Sequence, residues 1–206
     1  MKMIFDIGAN VGEWTNTNIN NSDKFISIEA SPSTYINLYN RLKDNSKVVC
    51  LNYAVCNNNC EDVTFYNCNS CHFLSTLNEE WLSSDKSRFY GEKYTEIKVP
   101  SITIDKLLET YGIPELIKID VEGGEDKCVF SLTQKVPLLC FEWASETNEV
   151  TFKSLDHLKS LGFNQFFLQK NDSYTFRPTE FFSFETVKEQ LNNTIPKVDW
   201  GMLWCK

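Results

Sequence analysis

Short apolar runs are spaced along the chain, and between them apolar residues recur three or four positions apart. Met3 to Ile7, Phe25 to Ile28, Val48 to Leu51, residues 116–121, Val136 to Trp143, Asn164 to Leu168 and Gly201 to Trp204 read as strands. Helices are predicted from Glu13 to about Ile19, from Pro32, from Asp105 to near Gly112, and over 124–134, 148–161 and 184–191. The second helix opens on Ser31-Pro32, a cap followed by proline at the first helical position, and its apolar stripe is Tyr35, Leu38, Tyr39 and Leu42. Val63 to Tyr66 reads as an edge strand and Ile97 to Ile104 as extended chain. Residues 67–95 between them are polar and irregular, apart from a short helix near Glu79 to Leu82, and suggest a substrate lid. Strands alternating with helices predict an α/β fold with a mainly parallel, doubly wound sheet, in which the last strand can be antiparallel. Neither repeat nor linker interrupts the pattern, so residues 1–206 are expected to form one domain.

Composition narrows the class. Apolar residues make up 42% of the 206, an ordinary globular share. A net charge of -8 gives no surface for capturing nucleic acid through its phosphates, and no nucleic-acid partner is expected. There is no run of 18 apolar residues to span a membrane, nor a signal peptide before Asp6, so a cytoplasmic location is expected. The eight cysteines are then expected as reduced thiols. Cys56-x3-Cys60 and Cys68-x2-Cys71 have loose zinc-ligand spacing but flank a strand in an Asn-rich stretch, so structural zinc is the less favoured reading.

Two stretches carry candidate chemistry. Asp6-Ile7-Gly8-Ala9-Asn10-Val11-Gly12 joins a strand to a helix, where glycines allow close approach of a ligand and the helix start offers free N–H groups. Glu29 ends the next strand, placed to accept hydrogen bonds from the ribose hydroxyls of an adenosine. A nicotinamide fingerprint would need glycine at Asn10 and gives Asp6 no purpose, whereas an acid there suits the amino group of a methionine-derived cofactor. No P-loop is present. The second stretch, Ile117 to Glu125, alternates apolar Ile117, Ile119 and Val121 with charged Lys118, Asp120 and Glu122. Three charges on one face near the carboxyl end of a strand point to a ligand crevice.

The blocks Phe5 to Gly12, Ile28-Glu29-Ala30-Ser31-Pro32, Asn52 to Val55, Thr103-Ile104-Asp105 and Ile117 to Gly123, with Pro137 to Glu142 behind them, together resemble the FkbM family of S-adenosylmethionine-dependent methyltransferases. The resemblance implies a class I methyltransferase (Rossmann-like) fold, with a seven-stranded sheet of order 3-2-1-4-5-7-6, and O-methylation, often of sugars or natural products. Two departures stand out: the chain begins at the first strand, without the helices often ahead of it, and Ala30 stands where proline is usual. By carry-over, Asp6, Gly8, Asn10 and Gly12 line the methionine half of the cofactor, Glu29 takes the ribose with Ser31 beside it, Ala54 and Val55 flank adenine, and Asp120 faces the amino-acid end or sulfonium.

Methyl transfer to a hydroxyl needs the proton removed, either by a carboxylate base or by a divalent metal such as Mg²⁺ or Mn²⁺ that acidifies it. Glu122 and Glu142 end strands expected to be neighbours, so their carboxylates should share a pocket beside Asp120 and raise at least one pKa. The competing role for Glu122 is capping the helix after Gly123-Gly124, while for Glu125 and Asp126 the helix dipole is explanation enough. His72 in the lid is a second candidate base, His157 is read as surface, and Trp143 either stacks on a sugar or packs. The acceptor is expected to be a sugar, glycan or other small molecule. RNA ribose methylation and a catalytically silent cofactor-binding partner subunit are the alternatives.

Overall fold

A computed structural model of the chain describes residues 1–60, 62–68 and 70–206. Its strands and helices, in chain order, are β1 (Met3–Ile7), α1 (Glu13–Thr17), β2 (Lys24–Ile28), α2 (Pro32–Leu42), β3 (Val48–Leu51), β4 (Ala54–Val55), β5 (Val63–Cys68) and α3 (Glu80–Ser83). There follow β6 (Tyr94–Val99), β7 (Ser101–Ile102), α4 (Ile104–Tyr111), β8 (Leu116–Ile119), α5 (Glu125–Val129), β9 (Leu139–Ala144), α6 (Asn148–Ser160), β10 (Phe166–Lys170), α7 (Phe184–Asn192) and β11 (Trp200–Cys205).

Seven strands make the main sheet, ordered β3-β2-β1-β8-β9-β11-β10. Counted within that sheet alone, the order is the expected 3-2-1-4-5-7-6. Pairings from β3 through β9 are parallel, and only β11 runs against its neighbours β9 and β10. The remaining four strands form two separate pairs, parallel β4–β7 and the hairpin β5–β6. The hairpin absorbs both ends of the segment expected to be irregular.

Because helices cover both faces of a largely parallel sheet, its central strands are buried on both sides. Phe5, Ile7, Ile117, Ile119 and Phe141 pack into the larger core, while Ile4, Leu116, Cys140 and Trp204 point the other way into the smaller one. All four residues of β8 are buried, Lys118 included. Among the described residues, no helix is long and apolar enough to cross a membrane.

Trp143 is 1% exposed and its indole N–H donates to the Gln169 carbonyl at 3.1 Å, so it packs and meets no ligand. His157 is half-buried and holds the Leu132 carbonyl at 2.8 Å, which corrects the reading of a free surface residue.

Candidate active site

The turn after β1 is shaped by its glycines. Gly8 has φ +76°, and a Cβ there would lie 1.7 Å from the Asp120 carbonyl oxygen, so the β1 and β8 turns approach too closely for any side chain. The Gly8 and Ala9 N–H groups both donate to the Ile28 carbonyl. Asn10, also in the left-handed region with φ 50°, donates its N–H to Glu29 Oε2 at 3.0 Å. Glu29 Oε1 accepts the Ser31 N–H at 2.9 Å. Burial pushes the Glu29 carboxyl up to about 7, although both N–H groups pull the other way.

These residues wall a cavity of about 580 Å³ at the carboxyl ends of the parallel strands. Gly8, Asn10, Glu29, Ala54, Val55 and Asp120 of the expected cofactor set line it, as do Glu122 and Glu142. Asp6, Gly12 and Ser31 do not. Gly12 instead caps α1 against Leu38 and Leu42, and the Ser31 hydroxyl donates to Asn67 Oδ1 at 2.8 Å. Asp6 lies fully buried, opposite Lys118 in the β1–β8 register. Its Oδ2 accepts from the Thr15 hydroxyl at 2.6 Å, and its Oδ1 is 3.4 Å from Lys118 Nζ. Lys118 Nζ is also 3.1 Å from Asp120 Oδ2. Burial lowers the Lys118 pKa, but Asp120 and Asp6 outweigh it and keep the ammonium charged. The charged face of residues 118, 120 and 122 is thus part core: its lysine is neutralised in place.

Glu122 adopts φ 60°, and its Oε2 accepts the Trp81 indole N–H at 3.1 Å. It therefore does not cap α5; Glu125 reaches back instead, accepting the Val121 N–H at 3.0 Å. Gly123 is pressed against Trp81, whose ring would lie 2.9 Å from an added Cβ, and its carbonyl accepts from the Asn78 side chain at 2.9 Å. Glu142 comes from β9, the parallel neighbour of β8, and its carboxylate accepts no hydrogen bond among the described residues. One oxygen each of Asp120, Glu122 and Glu142 lies within 4.8 Å of the others. Burial first, then neighbouring carboxylates, raises the pKa of both Glu122 and Glu142 well above the usual range.

From the roof, the segment 72–77 contributes His72, Phe73, Ser75 and Leu77 to the cavity. Asp172 and Tyr174, after β10, and Trp200, at the start of β11, complete the wall. Sequence reasoning missed these three. The signal was there for the first two, since β10 runs parallel to β9 and its carboxyl end reaches the same edge. Among the described residues no ligand-atom cluster includes a cysteine, and the Cys56 thiol donates to Asn58 Oδ1. The geometry gives zinc no support.

A sheet of this order, with a glycine turn after its first strand and an acid ending its second, defines a class I methyltransferase. The profile of the "Methyltransferase FkbM domain" matches residues 6–163, and the chain belongs to that family, as an S-adenosylmethionine-dependent methyltransferase. Among solved structures it is similar to precorrin 8w decarboxylase from Methanobacterium thermoautotrophicum: 8% identity, TM-score 0.50, covering 100% of this chain and 81% of that one. Precorrin-6y C5,15-methyltransferase from Geobacter metallireducens aligns over 99% of this chain and 79% of its own, with 10% identity and a TM-score of 0.46. At such identities the likeness concerns the fold alone. No curated protein matches the chain in sequence.

Proposed function

We propose that the protein methylates a hydroxyl of a small acceptor, a sugar or glycan, using Glu142 and Glu122 to receive the proton. The observation that carries this reading is the carboxylate pair beside the cofactor wall, with raised pKa values and with the Glu142 carboxylate free of hydrogen bonds among the described residues. The cavity fits the cofactor: its volume is in the range of small-molecule sites, and a buried acid stands at the end of the second strand. Glu29 would hold the ribose, Ala54 and Val55 the adenine, and Asp120 the methionine end. Asp6 acts from below, fixing Lys118 and through it Asp120.

When bound, S-adenosylmethionine would supply an electrophilic methyl on a sulfonium, in line with the acceptor oxygen, with the sulfur as leaving group. Glu142 accepts the hydroxyl proton, and Glu122, oriented by Trp81, keeps the pair's charge low enough for it to do so. Asp120, Glu122 and Glu142 also form a donor set that Mg²⁺ or Mn²⁺ would accept, in which case they serve as ligands. Methylation of RNA ribose is disfavoured by the net charge of -8.

Calorimetry should show S-adenosylhomocysteine binding and no heat with NAD; the reverse would sink the cofactor assignment. Release of S-adenosylhomocysteine is then followed over a panel of glycosides. Glu142→Gln and Glu122→Gln should each cut turnover by about 10²–10⁴-fold, the usual cost of a lost general base, with cofactor affinity almost unchanged. Activity that survives EDTA leaves the carboxylates as base; activity restored only by Mg²⁺ or Mn²⁺ makes them ligands. Near-normal turnover in both variants would move the base to His72.

A further inference from the structure

The charge of the cavity wall narrows the acceptor. Six carboxylates line it, from Glu13, Glu29, Asp120, Glu122, Glu142 and Asp172. Against them, the described lining offers one lysine, Lys118, already held between Asp6 and Asp120. Arg88, which feels the charge of Glu142 and Glu122, is no more available. Its Nε and Nη2 each lie 2.6 Å from an oxygen of Glu146, and Nη2 also donates to the Asp199 carbonyl. Lys127 donates to the Leu77 carbonyl at 2.6 Å. A phosphate or carboxylate entering here would lose water, face acidic rather than basic side chains, and find no free cation among the described lining residues.

We propose that the acceptor carries an amine, as an amino sugar does, and that the cavity rejects phosphorylated and nucleotide-linked substrates. This rests on the reading of the cavity as a methyl-transfer site. An ammonium has three donors to share, and oxygens of Glu122 and Glu142 stand within 4.8 Å of each other to receive them. Phe73, Tyr174 and Trp200 add aromatic surface at the same cavity, which suits a cation or the apolar face of a sugar. A bound ammonium also compensates the two half-buried carboxylates, for which the described wall offers only Lys118, already held between Asp6 and Asp120.

Sinefungin tests this without knowledge of the acceptor, because it carries an amine on carbon where the cofactor carries the transferred methyl. In calorimetry with EDTA present, it should bind the wild-type protein at least tenfold more tightly than S-adenosylhomocysteine. Glu142→Gln and Glu122→Gln should each shrink that ratio severalfold while leaving S-adenosylhomocysteine affinity in place, which also shows that the variants fold. Equal affinity for the two compounds in the wild type overturns the proposal, as does an unchanged ratio in both variants. Failure to bind S-adenosylhomocysteine at all is a different result and refutes the cofactor assignment instead. In saturation-transfer NMR on the S-adenosylhomocysteine complex, methyl glucosaminide should give signals that glucose 6-phosphate does not. Stronger signals from the phosphate would overturn the proposal too.

Discussion

Glu29 illustrates how one side chain serves structure and chemistry at once. Its two oxygens brace the glycine turn through Asn10 and Ser31, yet the carboxyl stays buried at the cavity wall. Glu29→Ala should weaken S-adenosylhomocysteine binding by about 1–3 kcal/mol, the scale for hydrogen bonds to a charged group; unchanged affinity in calorimetry would remove Glu29 from the ribose site. Lys118 presents the opposite case, a charge whose partners are all internal. Lys118→Met leaves the buried Asp6 carboxylate without its cation, and breaking a buried pair in this way costs about 3–5 kcal/mol. Denaturant melts should show that loss even without ligand, and a loss below about 1 kcal/mol would mean that water already reaches Asp6. Gly8, Glu29 and Glu122 were legible in the sequence because a turn, a strand end and a charge in an apolar run each have a local signature. The burial of Asp6 was not. It depends on the β1–β8 register, which places Lys118 directly opposite, and register across a parallel sheet has no local sequence mark.

At the scale of elements, the roof of the cavity departs most from the sequence pattern. Residues 67–95 looked polar and irregular, yet Leu74, Trp81 and Leu82 are buried with Cys68 and Ala144 in a small core of their own. Leu74, Leu77, Trp81 and Leu82 recur at helical intervals, yet residues 75–79 are not α-helical, so periodicity alone points to the wrong element. Short strands and a four-residue helix, α3, are built around these anchors rather than around a repeating face. The segment is fastened at the site itself, through Trp81 to Glu122 and Asn78 to Gly123. That attachment makes the lid testable. Hydrogen exchange over 70–78 should be faster in the free protein than with cofactor analogue and acceptor bound, whereas the anchored 81–82 stretch should be slow in both. Equal, strong protection throughout, in both states, would show fixed scaffold instead of a lid. Trp81→Phe keeps an aromatic ring in the small core, at some loss of packing, and removes the hydrogen bond to Glu122, so turnover should fall further than the denaturant-measured stability explains.

For the whole molecule, buried acids tie stability to pH. The Glu29 pKa is raised from 4.5 to about 7 by burial, so the folded state holds its proton more tightly than the unfolded chain does. The sign follows: this stability is fully present below pH 4.5 and is lost as pH rises to about 7. At about 1.4 kcal/mol for each pH unit between the two values, the loss is on the order of 3 kcal/mol. Glu125, raised to about 8 by burial, extends the decline upward. Acid opposes them: Glu146, despite its burial, is held below the usual range by Arg88, and its contribution disappears as pH falls through its folded pKa. Without ligand, the melting temperature should therefore peak at mildly acidic pH and fall from about pH 5 to pH 8. Glu29→Gln cannot ionise, so its decline should be visibly shallower up to pH 7. S-adenosylhomocysteine at about a hundred times its dissociation constant should restore about 2.7 kcal/mol to the wild type by mass action, and less to the variant at the same concentration. Parallel pH profiles for wild type and variant would show that Glu29 does not carry a raised pKa, and would leave Glu125 as the group behind the decline.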